Sequence, residues 1–358
     1  MIKLLMENSF VKALTTTKEE VWSRIEEYLK SNSTLPDYCL IKDKYQNIKD
    51  FHYSLVNNYP ERKGKYFRPT LLVLTAQALN VPKEKYLNTA AAMQISEDWI
   101  LNHDDIEDDS LERRGSPALH RQFTKELAIN AGDGLQTLMW RVINDNYEKL
   151  PLKTAKEIAD EFYWMLDRTI LGQTIEIKWL QDNRLDLSDE DILLILESKT
   201  GYYTIGGPMR LGGILGGLKK QELDKLYEFG KLMGYCFQIK DDLLDLTSDF
   251  AGLKNQVGND IYEGKRTIML GHLIRNINER EKLIEILNKS REEKSEAEVK
   301  WIINKMGEYG SLEYGQKMME KYAKEATTYF DKELKFLPEC TAKSELRSGI
   351  EFVINRDH

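Results

Sequence analysis

Two short acidic clusters with identical spacing constrain this chain more than any other feature of its sequence. Residues 104–108 read DDIED and residues 241–245 read DDLLD, so both follow the pattern DDxxD. We name them the first and the second pentad. On an α-helix, positions i, i+1 and i+4 lie at about 0°, 100° and 40° around the axis, so the three aspartates of each pentad share one helix face.

An apolar run precedes each pentad, residues 99–101 before the first and residues 235–237 before the second. Each acidic face is therefore expected near the end of a core helix. A solvated surface would explain one pentad alone, but three like charges on one face repel and raise each other's pKa unless a cation is present. Two such faces make a solvated surface a poorer explanation, and six carboxylates would converge on one cavity if the two helices face each other. An oxygen-only site of this kind suits Mg²⁺ together with substrate phosphates.

The rest of the chain favours helices in one domain. Only 8 prolines interrupt 358 residues, and we find no convincing strand alternation and no composition break. The periodicity predicts helices over residues 10–29, 70–79, 86–109, 152–180, 189–218, 221–246, 279–306, 311–337 and 342–354. Gly115 and Pro117 mark a loop. The glycines after Lys199 and Thr200 predict close packing or a kink that would point these two side chains into a cavity.

Composition excludes several classes of function. The net charge of −8 disfavours a general nucleic-acid binder. The 3 cysteines and 5 histidines are scattered, which argues against a disulfide framework and a zinc site. No apolar run reaches the roughly 18 residues of a membrane span. Residues 1–10 lack the apolar core and cleavage site of a secretory signal, so we expect a cytoplasmic protein that keeps its first residues.

Basic residues follow the first pentad and begin a predicted helix. Arg113 and Arg114 could bind phosphate oxygens bidentately, and Lys65 and Arg68 lie where amide N–H groups favour anions. Each alone could equally be ordinary surface or helix-start chemistry. The other polar candidates are Gln173, Glu176, Lys199, Thr200, Gln238 and Lys265. Lys265 lies in a glycine-bounded loop, residues 258–267, that lacks the spacing of a phosphate loop. Together these residues describe a cavity that could bind and ionise a diphosphate.

On these residues, the sequence resembles the trans-type isoprenyl diphosphate synthase (polyprenyl synthetase) family from about residue 45 to about residue 356. DDIEDDSLERRG and FQIKDDLLD are specific as a pair, and GKYFRP, GQTIE, SKTG and GNDIYEGKRT follow in the family's order. The resemblance implies an all-α, isoprenoid-synthase-type bundle with a central active-site cavity, usually a homodimer. Residues 45–358 would form the polyprenyl synthetase domain. Residues 1–44 would be an N-terminal segment whose amphipathic helix belongs to the bundle or packs on it.

The resemblance also implies a Mg²⁺-dependent, head-to-tail condensation of isopentenyl diphosphate with dimethylallyl, geranyl or farnesyl diphosphate, in the E configuration. About three Mg²⁺ ions would be bound, with Mn²⁺ as an alternative. Asp104, Asp108 and Asp241 would be ligands, and Asp105, Asp242 and Asp245 would complete or support the metal shells. Arg113, Lys199 and Lys265 would hold the allylic diphosphate. Lys65, Arg68 and Arg114 would hold isopentenyl diphosphate. Thr200, Gln173 and Gln238 would flank the carbocation and the leaving group.

Three positions depart from the family pattern. Tyr66 stands where a second basic residue is usual, and Glu176 stands where Asp is common. Glu97 stands where His or Gln usually contacts isopentenyl diphosphate. A carboxylate beside a diphosphate is repulsive unless it is protonated or paired, for instance with a lysine.

Product length in this family is set by side-chain bulk before the first pentad. Trp99 and Ile100 lie five and four residues before Asp104, and Ser96 one turn earlier leaves room. This arrangement resembles geranylgeranyl diphosphate synthases. We therefore expect geranylgeranyl diphosphate as the product, with farnesyl diphosphate as the alternative.

Three other classes stay open. A class I terpene synthase shares the fold but normally lacks a second DDxxD and needs no isopentenyl site. The second pentad and the pair Lys65 and Arg68 argue against it, whereas Glu97 and Tyr66 leave it open. A regulatory partner subunit of a heteromeric synthase tends to lose aspartates, and none of the six is missing. An unrelated acidic scaffold would require both pentads to be coincidental.

Overall fold

The computed structural model describes residues 8–247 and 257–355 of the chain. Its helices are α1 Ser9–Asn32, α2 Gln46–Glu61, α3 Phe67–Ala78, α4 Lys83–Glu107, α5 Leu119–Gln122, α6 Lys125–Asn144, α7 Asn146–Lys149, α8 Leu152–Gln181, α9 Asp189–Leu196, α10 Gly207–Leu215, α11 Lys220–Thr247, α12 Asn259–Glu263, α13 Ile268–Asn276, α14 Arg280–Leu287, α15 Glu296–Glu308, α16 Ser311–Glu333 and α17 Thr341–Asn355. A π-helical segment, Glu197–Gly206, joins α9 to α10. Single 3-10 turns lie at Asp37–Cys39 and Asp43–Tyr45. The predicted all-α bundle is confirmed.

Two large apolar clusters form most of the core. One lies between α4, α6 and α8 and includes Met93, Leu135 and Phe162. The other lies around α11, α13 and α16 and includes Leu270 and Phe330. The first pentad follows the apolar part of α4 and the second lies in the last turns of α11. Each half of the core therefore carries one pentad.

A short hairpin follows the first pentad, where the sequence predicts only a loop. Strands β1 Glu112–Arg113 and β2 Ser116–Pro117 pair antiparallel. Arg114 and Gly115 between them have φ of 52° and 74°, the left-handed values that a two-residue hairpin turn with right-handed twist requires. Strands of two residues are too short for an alternating pattern to predict. The turn directs the side chains of the two adjacent arginines to different partners, Arg113 to Asp105 and Arg114 to Asp98.

The single helix predicted over residues 279–306 is wrong. The chain leaves helical conformation after Leu287 and α15 begins at Glu296. Ser295 and Glu298 form a capping box, in which the Ser295 N–H donates to Glu298 Oε2 at 2.9 Å. The buried Lys294 ammonium donates to the carbonyl oxygens of Lys289 and Tyr262. These local hydrogen bonds stabilise the break against the apolar periodicity.

The predicted helix over residues 189–218 is interrupted by the π-helical segment, and its glycines pack closely, as expected. A methyl group added at Gly234 of α11 would overlap the backbone of Gly201, and one added at Gly230 would overlap Gly206. The main chains of α11 and the π segment are therefore in direct contact. π-helical turns of this kind are frequent at functional sites.

Helix α1 packs on α3, α4 and α17 and buries Phe10, Val21 and Ile25. The amphipathic helix expected near the N-terminus is thus present, while the division at residue 45 stays a prediction. Most of the apolar patch at residues 1–10 lies outside the described residues. Within the described residues, no helix combines the length and the apolar character that crossing a membrane requires.

We expect Gly234→Ala to lower the free energy of unfolding by about 2 kcal/mol, because the added methyl group must push two backbones apart. Urea denaturation measures this change. Gly307→Ala is the matched control, since a methyl group at that exposed helical position meets no atom within 4 Å. Equal effects of the two substitutions would contradict the backbone contact.

Candidate active site

Both pentads open onto the same space. Asp104 and Asp241 line an inner cavity of about 320 Å³ and an outer cavity of about 470 Å³, and Asp260 and Lys265 also line both. The inner cavity continues between apolar side chains of five helical elements. These are Ile100, Leu101, Trp179, Ile192, Ile195, Leu196, Tyr203 and Phe237. The site thus joins a charged mouth to an apolar interior, as a prenyl diphosphate requires.

The three aspartates of the first pentad have different surroundings. Asp104 lines both cavities, and Asp108 lies 3.1 Å from the Lys265 ammonium across the outer cavity. Asp105 is fully buried and accepts hydrogen bonds from Arg113 Nε at 2.9 and 3.1 Å and from the Tyr59 hydroxyl. Asp105 therefore fixes the position of the Arg113 guanidinium, which itself lines the outer cavity.

Two aspartates of the second pentad are held by hydrogen bonds at the cavity wall. Asp242 accepts a hydrogen bond of 2.9 Å from Gln238 Nε2, and Gln238 Oε1 accepts one of 2.8 Å from the Thr200 hydroxyl. Asp245 accepts the Asp260 N–H at 3.0 Å and thereby holds the start of α12. All of these side chains, like Asp241, line the inner or the outer cavity.

Burial and mutual repulsion perturb the carboxylates. Burial, opposed by Lys265 and reinforced by Asp104, raises the pKa of Asp108 to about 6. Burial, opposed by Gln238 and reinforced by Asp241, raises the pKa of Asp242 to about 7. Burial likewise raises the pKa of Asp260 well above its usual value. Burial therefore makes these carboxylates costly to ionise unless a cation lies beside them.

Lys265 is the main internal cation. Its ammonium lies 3.1 Å from Asp108, 2.7 Å from Glu263 and 3.8 Å from Asp260. Burial alone would lower the pKa of Lys265, but these carboxylates more than offset burial and raise its pKa well above the usual value. The Lys265 side chain therefore stays charged in the middle of the acidic cavity.

The donor set fits Mg²⁺ shared with a phosphate-bearing ligand. In residues 8–247 and 257–355, no three His, Cys, Asp or Glu side chains are placed to hold one metal ion between them. Mg²⁺ needs no such group, because it usually takes one or two carboxylates and completes its shell with waters and substrate phosphates. Asp104 and Asp241 face the cavity, and the raised pKa values of Asp108 and Asp242 mark carboxylates that a further cation would stabilise.

Some of the other predicted site residues line the cavities, and others do not. Lys199 and Thr200, on the π segment, line the inner cavity, and Lys199 forms an ion pair with Glu176. Gln173 donates to Glu107 Oε2 at 2.7 Å and lines neither cavity. Lys65 is exposed in the loop before α3.

Glu97 is paired, but with arginines rather than with a lysine. Its carboxylate oxygens lie 3.2 Å from Arg68 Nη1 and 3.6 Å from Arg114 Nη2. Arg114 also donates to Asp98 Oδ1 at 2.7 Å. Tyr66 is buried beneath this group, with φ of 60°.

The three positions predicted to set product length are placed differently. Ile100 lines the inner cavity, as expected of a residue one helical turn before Asp104. Trp99 is buried in the core, with its ring edge-on to His103, and lines neither cavity. Ser96 shares a hydrogen bond of 3.0 Å with the hydroxyl of Tyr203, which lines the inner cavity. The proposed chain-length role of Trp99 stays a prediction.

Several site residues escaped the sequence analysis. Asp260 and Glu263 lie in the loop that was singled out for Lys265 alone. Asp98 and the Tyr59 carbonyl oxygen accept hydrogen bonds from Arg114. Gly258 and Gly264, both with positive φ, bound the short helix α12 and bring Asp260 to the cavity. The acidic residues between these glycines were a signal that could have indicated them.

An all-α bundle with an acidic cavity between two DDxxD pentads is the architecture that the resemblance implies for a prenyltransferase of this class. The family model for polyprenyl synthetase matches residues 49–306, and the chain belongs to this family. It is an isoprenyl diphosphate synthase, as the sequence predicted. Enzymes of the family generally depend on Mg²⁺.

Known relatives support this assignment. The chain is 32% identical over 297 residues to a short chain isoprenyl diphosphate synthase of Methanothermobacter thermautotrophicus, covering 82% of this chain and 87% of the relative. It is 28% identical over 321 residues to a geranylgeranyl diphosphate synthase of Saccharolobus solfataricus, covering 88% and 92%. The crystal structure of geranylgeranyl pyrophosphate synthase from Corynebacterium glutamicum, complexed with isoprenyl diphosphate and magnesium, has a TM-score of 0.84 at 23% identity, covering 96% and 99%. This last likeness shows the fold.

We expect Asp105→Asn to lower the free energy of unfolding by about 3 kcal/mol, because it leaves the Arg113 guanidinium without its buried carboxylate. Asp104→Asn is the matched control in the same pentad. It should change the free energy of unfolding by less than about 1 kcal/mol and abolish turnover. Urea denaturation and a steady-state assay separate the two roles, and equal destabilisation would contradict them.

Proposed function

We propose that this enzyme condenses isopentenyl diphosphate with an allylic diphosphate, head to tail and in the E configuration, and that its main product is geranylgeranyl diphosphate. The observation that carries the proposal is the shared cavity: Asp104 of α4 and Asp241 of α11 face one space that continues into an apolar interior. The charged outer part of this space matches a diphosphate headgroup, and the apolar inner part matches a prenyl chain.

The acidic mouth would hold the allylic diphosphate through Mg²⁺. Asp104, Asp108 and Asp241 are the proposed ligands of about three ions, with Mn²⁺ as an alternative, and Asp242 and Asp245 support them. The bound cations would offset negative charge on the departing diphosphate. We assign Asp105 to positioning Arg113 rather than to the metal shell, since both its oxygens are already hydrogen-bonded.

The chain's own cations would hold and stabilise the leaving group. Lys199 and Lys265 reach the inner cavity beside the pentads, and Arg113 lines the outer cavity. Donors aimed at a diphosphate that gains charge during C–O ionisation lower the barrier to that step. The hydrogen-bonded pair Thr200 and Gln238 would place a hydroxyl and an amide beside the allylic carbons. We give Gln173 an indirect part, through Glu107.

Condensation then needs a dry interior. The double bond of isopentenyl diphosphate would attack the allylic cation, and a proton would leave to the released diphosphate. The apolar walls formed by Ile100, Leu196 and Phe237 would exclude water that otherwise quenches the cation. Arg68, Arg114 and Lys65 would hold isopentenyl diphosphate.

Product analysis by mass spectrometry tests the proposal. The purified chain is incubated with Mg²⁺, isopentenyl diphosphate and each allylic primer in turn. Elongated diphosphates from the chain alone would exclude a regulatory partner subunit. Hydrocarbon from geranylgeranyl diphosphate without isopentenyl diphosphate would instead identify a terpene synthase.

We expect Ile100→Phe to shift the main product from geranylgeranyl to farnesyl diphosphate, because the larger ring fills the inner cavity one turn below Asp104. Trp99→Phe is the matched control on the same turn and should leave the product unchanged, since Trp99 lines neither cavity. The products are separated by chain length after dephosphorylation. A shift with Trp99→Phe alone would instead identify Trp99 as the residue that sets product length.

A homodimer is also proposed. Helix α8 exposes an apolar face on which Tyr163 and Trp164 stack edge-on with ring centroids 4.8 Å apart, and Ile170 and Leu171 follow two turns later, each about half exposed. Exposed large apolar side chains grouped on one helix face are typical of a protein interface. Sedimentation velocity of the purified chain tests the dimer.

A further inference from the structure

Four charged side chains meet between α3, α4 and the hairpin turn: Arg68, Glu97, Asp98 and Arg114. Arg114 Nη1 donates to Asp98 Oδ1 at 2.7 Å and to the Tyr59 carbonyl oxygen at 2.9 Å. Glu97 lies 3.2 Å from Arg68 and 3.6 Å from Arg114. The formal charges of the two carboxylates and the two guanidinium groups therefore cancel.

The two carboxylates hold the arginines in different ways. Asp98 is 1% exposed, and its Oδ1 accepts hydrogen bonds from Arg114 and from Gln94 Nε2. Glu97 attracts both arginines without hydrogen-bond geometry. Arg68 Nε, Arg114 Nη2 and Glu97 Oε2 are all buried and have no hydrogen-bond partner among the described residues. Buried donors in this state are poorly satisfied by Glu97 and well suited to a phosphate oxygen.

We propose that Glu97 competes with the diphosphate of the second substrate for Arg68 and Arg114, and thereby raises KM for that substrate. The inference rests on the proposed function, which assigns this subsite to isopentenyl diphosphate. A diphosphate offers oxygens that can bind both guanidinium groups bidentately, so it displaces Glu97. It leaves the Asp98 hydrogen bond in place.

Arg114 keeps its position without Glu97. A methyl group at Gly64 would lie 2.7 Å from Arg114 Nη2, so the guanidinium packs directly on the Gly64 backbone. The hydrogen bonds to Asp98 and to the Tyr59 carbonyl hold the opposite nitrogen, Nη1. Arg68 is likewise supported, because its guanidinium lies 4.7 Å above the ring of Tyr203. Removing the Glu97 charge therefore leaves two arginines in place for the ligand.

Glu97→Gln tests the competition, because glutamine keeps the shape of the side chain and removes its charge. Steady-state kinetics with both substrates varied should show a fall of at least about tenfold in KM for isopentenyl diphosphate. The value of kcat and KM for the allylic diphosphate should stay near those of the wild type.

Glu176→Gln, at a carboxylate that lines the inner cavity, is the matched control. It removes the carboxylate paired with Lys199, so it should change KM for the allylic diphosphate and leave KM for isopentenyl diphosphate unchanged. Circular dichroism checks that both variants fold, and Glu97→Ala supplies the same comparison if Glu97→Gln does not.

The outcomes separate this inference from the proposed function. A wild-type enzyme that turns over isopentenyl diphosphate, with an unchanged or higher KM in the Glu97 variants, would overturn the competition alone. A wild-type enzyme that never consumes isopentenyl diphosphate would overturn the proposed function and the inference with it. A lower KM confined to isopentenyl diphosphate supports both.

Discussion

Repulsion between carboxylates at the centre of the bundle is the constraint to which much of the surrounding structure responds. Both pentads lie at the C-terminal ends of long helices, where the helix dipole adds negative potential. Lys265 offsets part of this charge from a short loop that Asp245 anchors through the Asp260 N–H. Burial, reinforced by the neighbouring carboxylates, raises the pKa of Asp108 and of Asp242. A cavity built in this way is stabilised by added cations, which is the property that diphosphate chemistry requires.

Neighbouring acidic residues on one helix take different tasks. Asp104 faces the cavity, whereas Asp105, the next residue, is buried and holds Arg113. The same division recurs two turns earlier on α4, where Glu97 makes loose ion pairs and Asp98 makes a short hydrogen bond to Arg114. Adjacent residues lie about 100° apart on a helix. One carboxylate can therefore face the cavity or the substrate subsite while its neighbour holds an arginine in position.

The sequence predicted the helical class from periodicity. The repeated spacing indicated a shared acidic cavity only on the condition that the two helices face each other, and the structure meets that condition for Asp104 and Asp241. The sequence did not predict the break before Ser295, where a capping box and a buried lysine outweigh the apolar pattern. It also missed the partners of Glu97. Which cation meets Glu97 depends on how a two-residue turn aims Arg114, and that tertiary placement has no periodic signature in the sequence. Asp260 was missed because the sequence analysis assigned a function in this loop to Lys265 alone.

The direct approach of α11 to the π segment has a consequence for how this active site tolerates change. Gly201 and Gly206 face Gly234 and Gly230 with no side chains between the two backbones. The spacing between Lys199 on one element and Asp241 on the other is therefore set by peptide groups, whose dimensions do not vary with sequence. Apolar residues elsewhere in the bundle can drift in size over many substitutions while the charges that face a diphosphate keep their separation.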